Sequence, residues 1–151
     1  MRGRPTSRPA AYFPGMESAN TQTLRHLEEL FNRRDLDAYV QRLAPQVEWH
    51  VAREDPDTTV HRGRDAVRGY LEHWIEVFSD LRLDIEDARA AGDKVLTVLR
   101  LRGSGTGSSA PFDQQLSTVF SFIDGHVSKV EEFFDHDEAR RAAGLDQAST
   151  K

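Results

Sequence analysis

The stretch "KVEEFFDHDEARRAAG", residues 129 to 144, gathers acidic side chains and one histidine around two phenylalanines. Its first half has the composition of a strand, and successive side chains of a strand point to opposite faces. Glu131 and Glu132 therefore cannot both face the interior of the protein. A carboxyl group that is enclosed by aromatic side chains has a raised pKa and can exchange a proton near neutral pH. The spacing predicts one candidate acid–base residue and one solvated glutamate.

The second half of this stretch has the pattern of a helix start rather than of a metal site. Asp135 and Glu138 are spaced as a capping box, and Gly144 is placed to end a short helix. Asp135-His136-Asp137 is dense in potential ligands, but adjacent residues rarely converge on one ion. The 6 histidines of the chain include no pair at helical ligand spacing. We therefore predict no metal ion and no cofactor.

Two aromatic residues, Tyr70 and Trp74, lie four positions apart in the clearest amphipathic pattern of the chain, residues 67 to 78. On a helix they would lie one above the other and present a hydroxyl and an indole N–H to a ligand. The same spacing is also typical of aromatic residues that only pack in a core. Both interpretations stay open, and Tyr70 and Trp74 are candidate substrate-binding residues.

Arg100 is a further candidate, in the strand pattern "KVLTVLRLRG". It shares one strand face with Arg102, and Leu99 and Leu101 share the other. An inward Arg100 could bind a carboxylate or stabilise an oxyanion. An outward Arg100 would lie at a sheet edge or on a dimer surface, and alternation alone does not say which face is inside.

The elements that must position these residues form an α+β pattern, with helices first and a meander of strands after them. A helix is predicted over 21–32 with Asn20 as its cap, and a short helix begins after Asp35 and stops before Pro45. Asp124-Gly125 predicts a tight hairpin turn. Strands are predicted at 47–51, 81–87, 94–103, 112–123 and 126–134, and a long helix between the first two of them.

The bulk properties exclude several classes of function. A chain of 151 residues suits one domain, and its net charge of -5 gives no general attraction to nucleic acid or to anionic lipid. We expect no membrane span. With 0 cysteines the chain has no disulfide or thiolate chemistry, and we expect a cytoplasmic protein. Residues 1–17 and 147–151 are predicted to be disordered tails around a domain at 18–146, and the Gly-rich loop 103–111 a mobile hairpin that could close over a pocket.

Three phrases, "ELFNRRDLDAYVQRLAPQVEW", "HRGRDAVRGYL" and "FSFIDGHVSKVEEFFDHDEARRAAGL", resemble the nuclear transport factor 2-like superfamily, and within it the SnoaL-like branch. The resemblance covers residues 20 to 145. It implies a curved antiparallel sheet and three N-terminal helices that form a cone around a mostly apolar pocket. Strand 112–123 is apolar on both faces, so we expect helices on the inside and a second subunit, in a homodimer, on the outside.

The resemblance also implies where a site would lie. The proton-transfer positions of ketosteroid isomerases hold Leu27, Val51 and, approximately, Thr118, and none of these side chains can exchange a proton in that role. The pocket-facing acid of SnoaL-like cyclases and epoxide hydrolases matches Glu132, our candidate catalytic residue.

If position 51 lines the pocket, Trp49 shares its strand face, and Phe120 is a candidate apolar lining residue. The expected ligand is a small apolar or polyketide-like molecule. Two functions stay open: acid–base chemistry of isomerase, lyase or hydrolase type, and a non-catalytic ligand-binding or dimerisation module.

Overall fold

The computed structural model describes residues 18–52, 59–104 and 111–145. The predicted tails at 1–17 and 147–151 lie outside the described residues, as does most of the predicted loop at 103–111. The described residues form four helices and one sheet, which confirms the α+β prediction. The helices are α1 at Ala19–Asn32, α2 at Leu36–Gln41, α3 at Arg64–Val77 and α4 at His136–Ala142.

The first helix begins earlier than predicted. The Ser18 hydroxyl accepts a hydrogen bond from the Thr21 backbone N–H, so Ser18, not Asn20, is the N-cap. The cap of α2 was predicted correctly, because the Asp35 carboxylate accepts from the Ala38 N–H at 3.2 Å. An N-cap needs only a side-chain oxygen that can reach the N–H three residues later. Ser18 and Asn20 both carry such an oxygen, so the sequence alone does not distinguish them.

The strands form a single curved sheet in the order β2-β1-β6-β5-β4-β3. All neighbours are antiparallel except β1 and β6, the second and third strands in this order, which run parallel. The sheet is therefore mixed, where the sequence predicted an antiparallel one, since alternation reports a strand but not the direction of its neighbour. The strands are β1 at Leu43–His50, β2 at Val60–Arg62, β3 at Arg82–Ala91, β4 at Lys94–Gly103, β5 at Phe112–Ile123 and β6 at His126–Phe133.

The inner face of the sheet packs against α1, α2 and α3 to form the main core. Leu24, Leu27 and Leu30 of α1 are at most 3% exposed, so the helical spacing of these leucines does bury one face. Val95 of β4 and Val130 of β6 meet them from the sheet. Burial on this scale, about 1.5–3 kcal/mol for each large apolar side chain, is what holds the helices over the sheet.

The outer face of the sheet is covered in part by α4. Leu96, Val119 and Phe133, from three neighbouring strands, form a second buried cluster with Ala139 and Ala143 of that helix region. The apolar outer side of β5 therefore has a cover within the same chain, at the place where the sequence predicted a second subunit.

Side chains of α1 fasten this helix to the backbone of β3. Asn32 donates to the Leu83 carbonyl at 2.8 Å and accepts from the Leu83 N–H at 2.9 Å. The Glu28 carboxylate accepts from the Ile85 N–H at 2.8 Å. Just after α1, Arg34, in a left-handed conformation with φ 66°, donates at 2.7 Å to the carbonyl of Leu81, the residue before β3. These bonds fix the distance between α1 and the sheet, and so the width of the space between them.

Candidate functional site

A cavity of about 210 Å³ lies between the inner face of the sheet and the helices. Its walls are mostly aliphatic and aromatic, and the described residues that line it include no lysine, arginine or histidine. All of the predicted pocket residues except Arg100 line this cavity; they are Trp49, Tyr70, Trp74, Phe120 and Glu132.

Glu132 is the acidic group of this cavity, and it is 9% exposed. The Trp49 indole N–H donates to one carboxylate oxygen at 2.8 Å. The Tyr70 hydroxyl lies 3.1 Å from both oxygens, and the backbone N–H of Ala52 donates as well. The carboxyl group is thus held in one orientation by donors from β1, from α3 and from the residues after β1.

Burial raises the pKa of Glu132 to about 7, against an ordinary value of 4.5. The hydrogen bonds from Trp49, Tyr70 and Ala52 act in the opposite direction, because they stabilise the charged form, but they are outweighed by the loss of water. The described lining residues include no cation that could stabilise the ionised form of Glu132. Near neutral pH both protonation states of Glu132 are therefore populated, and the group can either accept or donate a proton.

Strand geometry explains why Glu132 and Trp49 meet. On β6, Val130 and Glu132 face inward while Phe133 packs under α4, so the alternation predicted for the pair of glutamates is what the structure has. Trp49 lies beside Val130 in the parallel pairing of β1 with β6. That register brings the indole within reach of the carboxylate of Glu132, two residues further along the neighbouring strand.

Tyr70 is fixed by ring contacts on two sides. Its ring centroid lies 5.7 Å from that of Trp49 and 4.6 Å from that of His61, which belongs to β2. Burial lowers the pKa of His61, so this imidazole tends to be neutral near pH 7. The Tyr70 hydroxyl is therefore hydrogen-bonded to Glu132, whereas one of the two interpretations left open by the sequence had it facing a ligand.

Trp74 and Phe120 occupy separate parts of the wall. Trp74 belongs to an aromatic cluster, with its ring centroid 5.9 Å from that of Phe78 and 5.7 Å from that of Phe112. Phe120 meets Trp49 edge to face at 6.5 Å. Trp74 therefore packs against the core and also lines the cavity. These two positions were alternatives from sequence, and the structure has both.

Arg100 does not line the cavity, which corrects its assignment as a candidate substrate-binding residue. Leu99 and Leu101 face the cavity, so strand alternation turns Arg100 to the outer face. There its guanidinium donates to Glu86 and to Asp113, each at 2.8 Å. The alternative that the sequence left open, an arginine on the outside of the sheet, is the observed one.

Tyr39 lines the cavity but is not among the candidate residues predicted from sequence. It lies on α2 among aliphatic neighbours, lines the cavity and is 4% exposed. The signal was present, since Tyr39 shares the buried face of α2 with Leu36 and Val40, and a tyrosine there brings a hydroxyl into apolar surroundings.

Two of the three positions matched to ketosteroid isomerases also lie next to the site. Val51 lines the cavity. Thr118 pairs with Glu132 across β5 and β6, is 1% exposed, and its hydroxyl has no hydrogen-bond partner among the described residues. Leu27 belongs to the core. None of these three side chains adds a proton-exchanging group to the cavity.

The residues after Glu132 form the predicted cap. The Asp135 carboxylate accepts from the N–H of Asp137 at 2.8 Å and of Glu138 at 3.4 Å, at the start of α4. His136 contacts the Ser117 hydroxyl at 2.7 Å. In the described part of the chain, no three histidine, aspartate or glutamate residues are grouped so that they could hold a metal ion. Over the same residues, none of the helices has the length and apolar character needed to span a membrane.

Comparisons with known proteins agree with this fold. An NTF2-like protein of unknown function from Burkholderia pseudomallei is 26% identical with a TM-score of 0.68, over 82% of this chain and 96% of that one. A putative SnoaL-like polyketide cyclase from Jannaschia is 21% identical with a TM-score of 0.66, over 76% and 84% of the two chains. The epoxide hydrolase/cyclase-like enzyme SalBIII, of polyether salinomycin pyran-ring formation, is 16% identical with a TM-score of 0.66, over 76% and 88%.

A search of curated proteins gave no match. The sequence profile described as the SnoaL-like domain matches residues 24–130, which include α2, all of α3, β1 to β5 and the inward Val130 at the middle of β6. This match covers more than half of the chain. The chain belongs to the SnoaL-like domain family, within the nuclear transport factor 2-like fold.

Proposed function

We propose that the chain is an acid–base enzyme that acts on a small, uncharged, mostly apolar organic molecule, with Glu132 as the group that accepts and returns a proton. The observation that carries this proposal is a buried carboxyl group with a pKa of about 7 in the wall of an apolar cavity. A base whose pKa is close to the working pH combines a large ionised fraction with useful basicity.

The groups around Glu132 suit a proton that moves in both directions. Trp49, Tyr70 and Ala52 donate to the ionised carboxylate and so stabilise it after it has released a proton. The apolar wall favours the protonated form after the carboxyl has accepted one. One such group contributes about 10²–10⁴ in rate. Isomerase, lyase and hydrolase reactions all include a step of this kind.

The lining of the cavity supports the class of ligand. Leucine and aromatic side chains supply most of the wall, and no cationic side chain of the described residues is available to pair with an anion. Relatives of the same fold carry the descriptions polyketide cyclase and epoxide hydrolase/cyclase-like enzyme. Both descriptions are consistent with an uncharged, oxygen-containing carbon skeleton as the ligand here.

A second candidate function is a non-catalytic ligand-binding module. It is favoured by the absence, among the described lining residues, of any other carboxyl or imidazole group that could act as a partner to Glu132. In that case the cavity would bind the same kind of molecule without changing it.

The experiment that separates the two measures proton exchange directly. Purified protein is incubated in D₂O with a panel of one- and two-ring ketones, including 1-tetralone, and deuterium incorporation next to the carbonyl is followed by mass spectrometry. Glu132→Gln keeps the size and the hydrogen-bonding shape of the side chain but removes the base, so we expect the rate to fall about 10²–10⁴-fold.

The matched control is Glu86→Gln, the same chemical change on the outer face of the sheet, which should leave the exchange rate unchanged. Equal rates for the wild-type protein and Glu132→Gln across the whole panel would refute the catalytic proposal. Ketone binding without exchange would favour the binding module.

The quaternary structure and the cellular location are proposed as the sequence predicted them. A homodimer is part of this proposal, supported by Ile123, which is 52% exposed at the end of β5, and by an outer sheet face that α4 covers only in part. The cytoplasmic location is proposed from the sequence alone. Light scattering on the purified full-length chain would contradict the dimer if it gave the mass of one chain at micromolar concentration.

A further inference from the structure

The main cavity has a carboxylate in its wall that no described side chain neutralises. Glu132 is 9% exposed, and it takes part in none of the ion pairs between described residues. Its partners are neutral donors, namely the Trp49 indole, the Tyr70 hydroxyl and the Ala52 backbone N–H. A buried charge without a counter-ion is costly, because it has lost its water. A cation bound in the cavity would therefore stabilise the ionised form of Glu132.

The remaining groups around Glu132, in the described part of the chain, are also uncharged near neutral pH. Tyr39 of α2 has its pKa raised by burial and by the charge of Glu132, so its phenol keeps its proton. Thr118 of β5 lies opposite Glu132 in the strand pairing and carries only a hydroxyl. His61 of β2 packs on Tyr70, and burial lowers its pKa, which favours the neutral imidazole. A positive charge beside Glu132 would have to come from a ligand.

Aromatic rings form much of the wall beside this carboxylate. Trp49 and Tyr70 both donate to it, and their ring centroids lie 5.7 Å apart. Phe120 meets Trp49 edge to face at 6.5 Å and lines the same cavity. The face of an aromatic ring is partly negative and attracts a cation within about 6 Å, by about 0.5–2 kcal/mol. A carboxylate and several rings around an apolar space favour an ammonium ion that carries alkyl or aryl groups.

We propose that the cavity also binds a small organic ammonium ion, with Glu132 as its counter-ion and the neighbouring aromatic rings packed against its substituents. A metal ion or a strongly hydrated cation is disfavoured, because the described lining is mostly apolar and offers a single carboxylate. This inference goes beyond the proposed function, since it uses the same cavity and the same glutamate but needs no chemical step. Such an ion should compete with uncharged ligands for the cavity.

The charge state of Glu132 gives the two classes of ligand different pH dependence. Burial raises the pKa of Glu132 to about 7 in the free protein. A cation binds the ionised form, which becomes more abundant as pH rises, so its affinity should increase about 10-fold from pH 6 to pH 8. An uncharged ligand displaces water from the carboxyl group and favours the protonated form, so its affinity should not increase over the same range.

The test uses phenyltrimethylammonium, whose charge does not titrate, and tert-butylbenzene, an uncharged molecule of nearly the same shape. Both tryptophans of the chain, Trp49 and Trp74, line the cavity, so intrinsic fluorescence of the full chain reports the binding of either probe. In the wild-type protein we expect the affinity for the cation to rise about 10-fold between pH 6 and pH 8, and that for tert-butylbenzene not to rise.

Three variants locate the effect. Glu132→Gln removes the charge and keeps the size of the side chain, so at pH 8 it should weaken binding of the cation about 10- to 100-fold, without weakening that of tert-butylbenzene. Glu86→Gln, the same change on the outer face of the sheet, is the matched control and should alter neither affinity. Phe120→Leu keeps an apolar side chain but removes the ring, and it should weaken the cation about 2- to 5-fold more than the uncharged probe.

The comparison of pH values uses the wild-type protein, and so does not depend on how a variant folds. The inference is overturned if the wild-type protein does not bind phenyltrimethylammonium, or binds it with the same affinity at pH 6 and pH 8. It is also overturned if Glu132→Gln or Phe120→Leu weakens the two probes to the same extent.

The inference and the proposed function fail in different experiments. If the cation binds as expected but Glu132→Gln does not slow deuterium exchange, the ammonium site stands and the catalytic proposal falls. If Glu132→Gln slows the exchange while the wild-type protein does not bind the cation, catalysis stands and the ammonium site is wrong. If both hold, phenyltrimethylammonium should inhibit the deuterium exchange of 1-tetralone competitively.

Discussion

Two glutamates of the same sheet have pKa values shifted in opposite directions, although both accept hydrogen bonds. Glu132 lies on the inner face and Glu86 on the outer face. Glu86 accepts from Gln115 at 2.9 Å and from Arg100 at 2.8 Å, and these bonds lower its pKa. Glu132 also accepts hydrogen bonds that lower its pKa, yet burial raises the value to about 7. Hydrogen bonding alone therefore does not decide the charge of a carboxyl group. Loss of water decides it where no cation is near.

Keeping Glu132 ionised in the folded protein carries a large free-energy cost. A displacement of its pKa from 4.5 to about 7, at about 1.4 kcal/mol per unit, corresponds to about 3 kcal/mol. That is a large part of the roughly 5–15 kcal/mol by which most domains are stable. The inner face thus carries a destabilising group in its ionised form, while the outer face carries ion pairs that are individually weak.

The largest expected effect is the pH dependence of stability that Glu132 causes. In the unfolded chain this carboxyl loses its proton near pH 4.5, and in the folded protein near pH 7. Between these values the folded state binds more protons, so the stability due to this group falls as pH rises and is level above about 7. Glu132→Gln lacks the effect, and its free energy of unfolding relative to the wild type should increase by about 3 kcal/mol from pH 4.5 to pH 8.

Urea denaturation at four or five pH values would measure this difference in free energy of unfolding, with Glu86→Gln as the control. Because the pKa of Glu86 is lowered, that variant should differ from the wild type in the opposite direction, losing relative stability as pH rises through the acid range. Parallel pH profiles for the wild type and Glu132→Gln would show that the carboxyl of Glu132 is hydrated in solution.

An intermediate effect is expected from two threonines on the inner face. Thr118 is buried beside Glu132, and its hydroxyl lacks a partner among the described residues, whereas the Thr97 hydroxyl donates to the Thr118 carbonyl at 3.0 Å. Thr118→Val should therefore raise the free energy of unfolding by about 1 kcal/mol, and Thr97→Val should lower it by about the same amount. Thermal and urea unfolding of the two variants provide the measurement. Equal destabilisation by both would mean that the Thr118 hydroxyl is hydrogen-bonded, for example to an internal water.

The smallest effect is expected from the ion pairs of the outer face. Arg100→Gln removes the charge that joins Glu86 to Asp113, and it should lower the urea midpoint only slightly, with a smaller loss at high salt. It should not alter ketone binding, because Arg100 lies on the other side of the sheet. A clear change in 1-tetralone affinity for this variant, measured by calorimetry, would contradict the separation of the two faces.

Much of the fold and part of the site could be predicted from sequence, because both depend on local periodicity. The spacing of leucines in α1, the alternation of β5 and the Asp-Gly hairpin each act over a few residues, and the structure follows them. Alternation by itself also assigns Glu131 and Glu132 to opposite faces of β6. The inward choice of Glu132 came from the family resemblance, and the buried position of this side chain agrees with it.

The remainder depends on contacts between distant parts of the chain. The parallel pairing of β1 with β6 joins Trp49 to Val130, and nothing in either segment states the direction of the other. The short strand β2 has three residues, too few for a period. Tyr39 shares the buried face of α2 with Leu36 and Val40, but only the assembled cavity shows that it also lines the pocket.

The bonds from α1 to β3 also limit the addition of a further strand at that edge of the sheet. The sheet has two edges, and β2 at one of them is only three residues long, whereas β3 at the other has ten. An uncovered edge of ten residues would be a template for strand addition by another chain. Glu28 and Asn32 occupy the backbone groups of Leu83 and Ile85 that such a strand would need. The helix that lies over the cavity therefore also blocks strand addition along this part of the β3 edge.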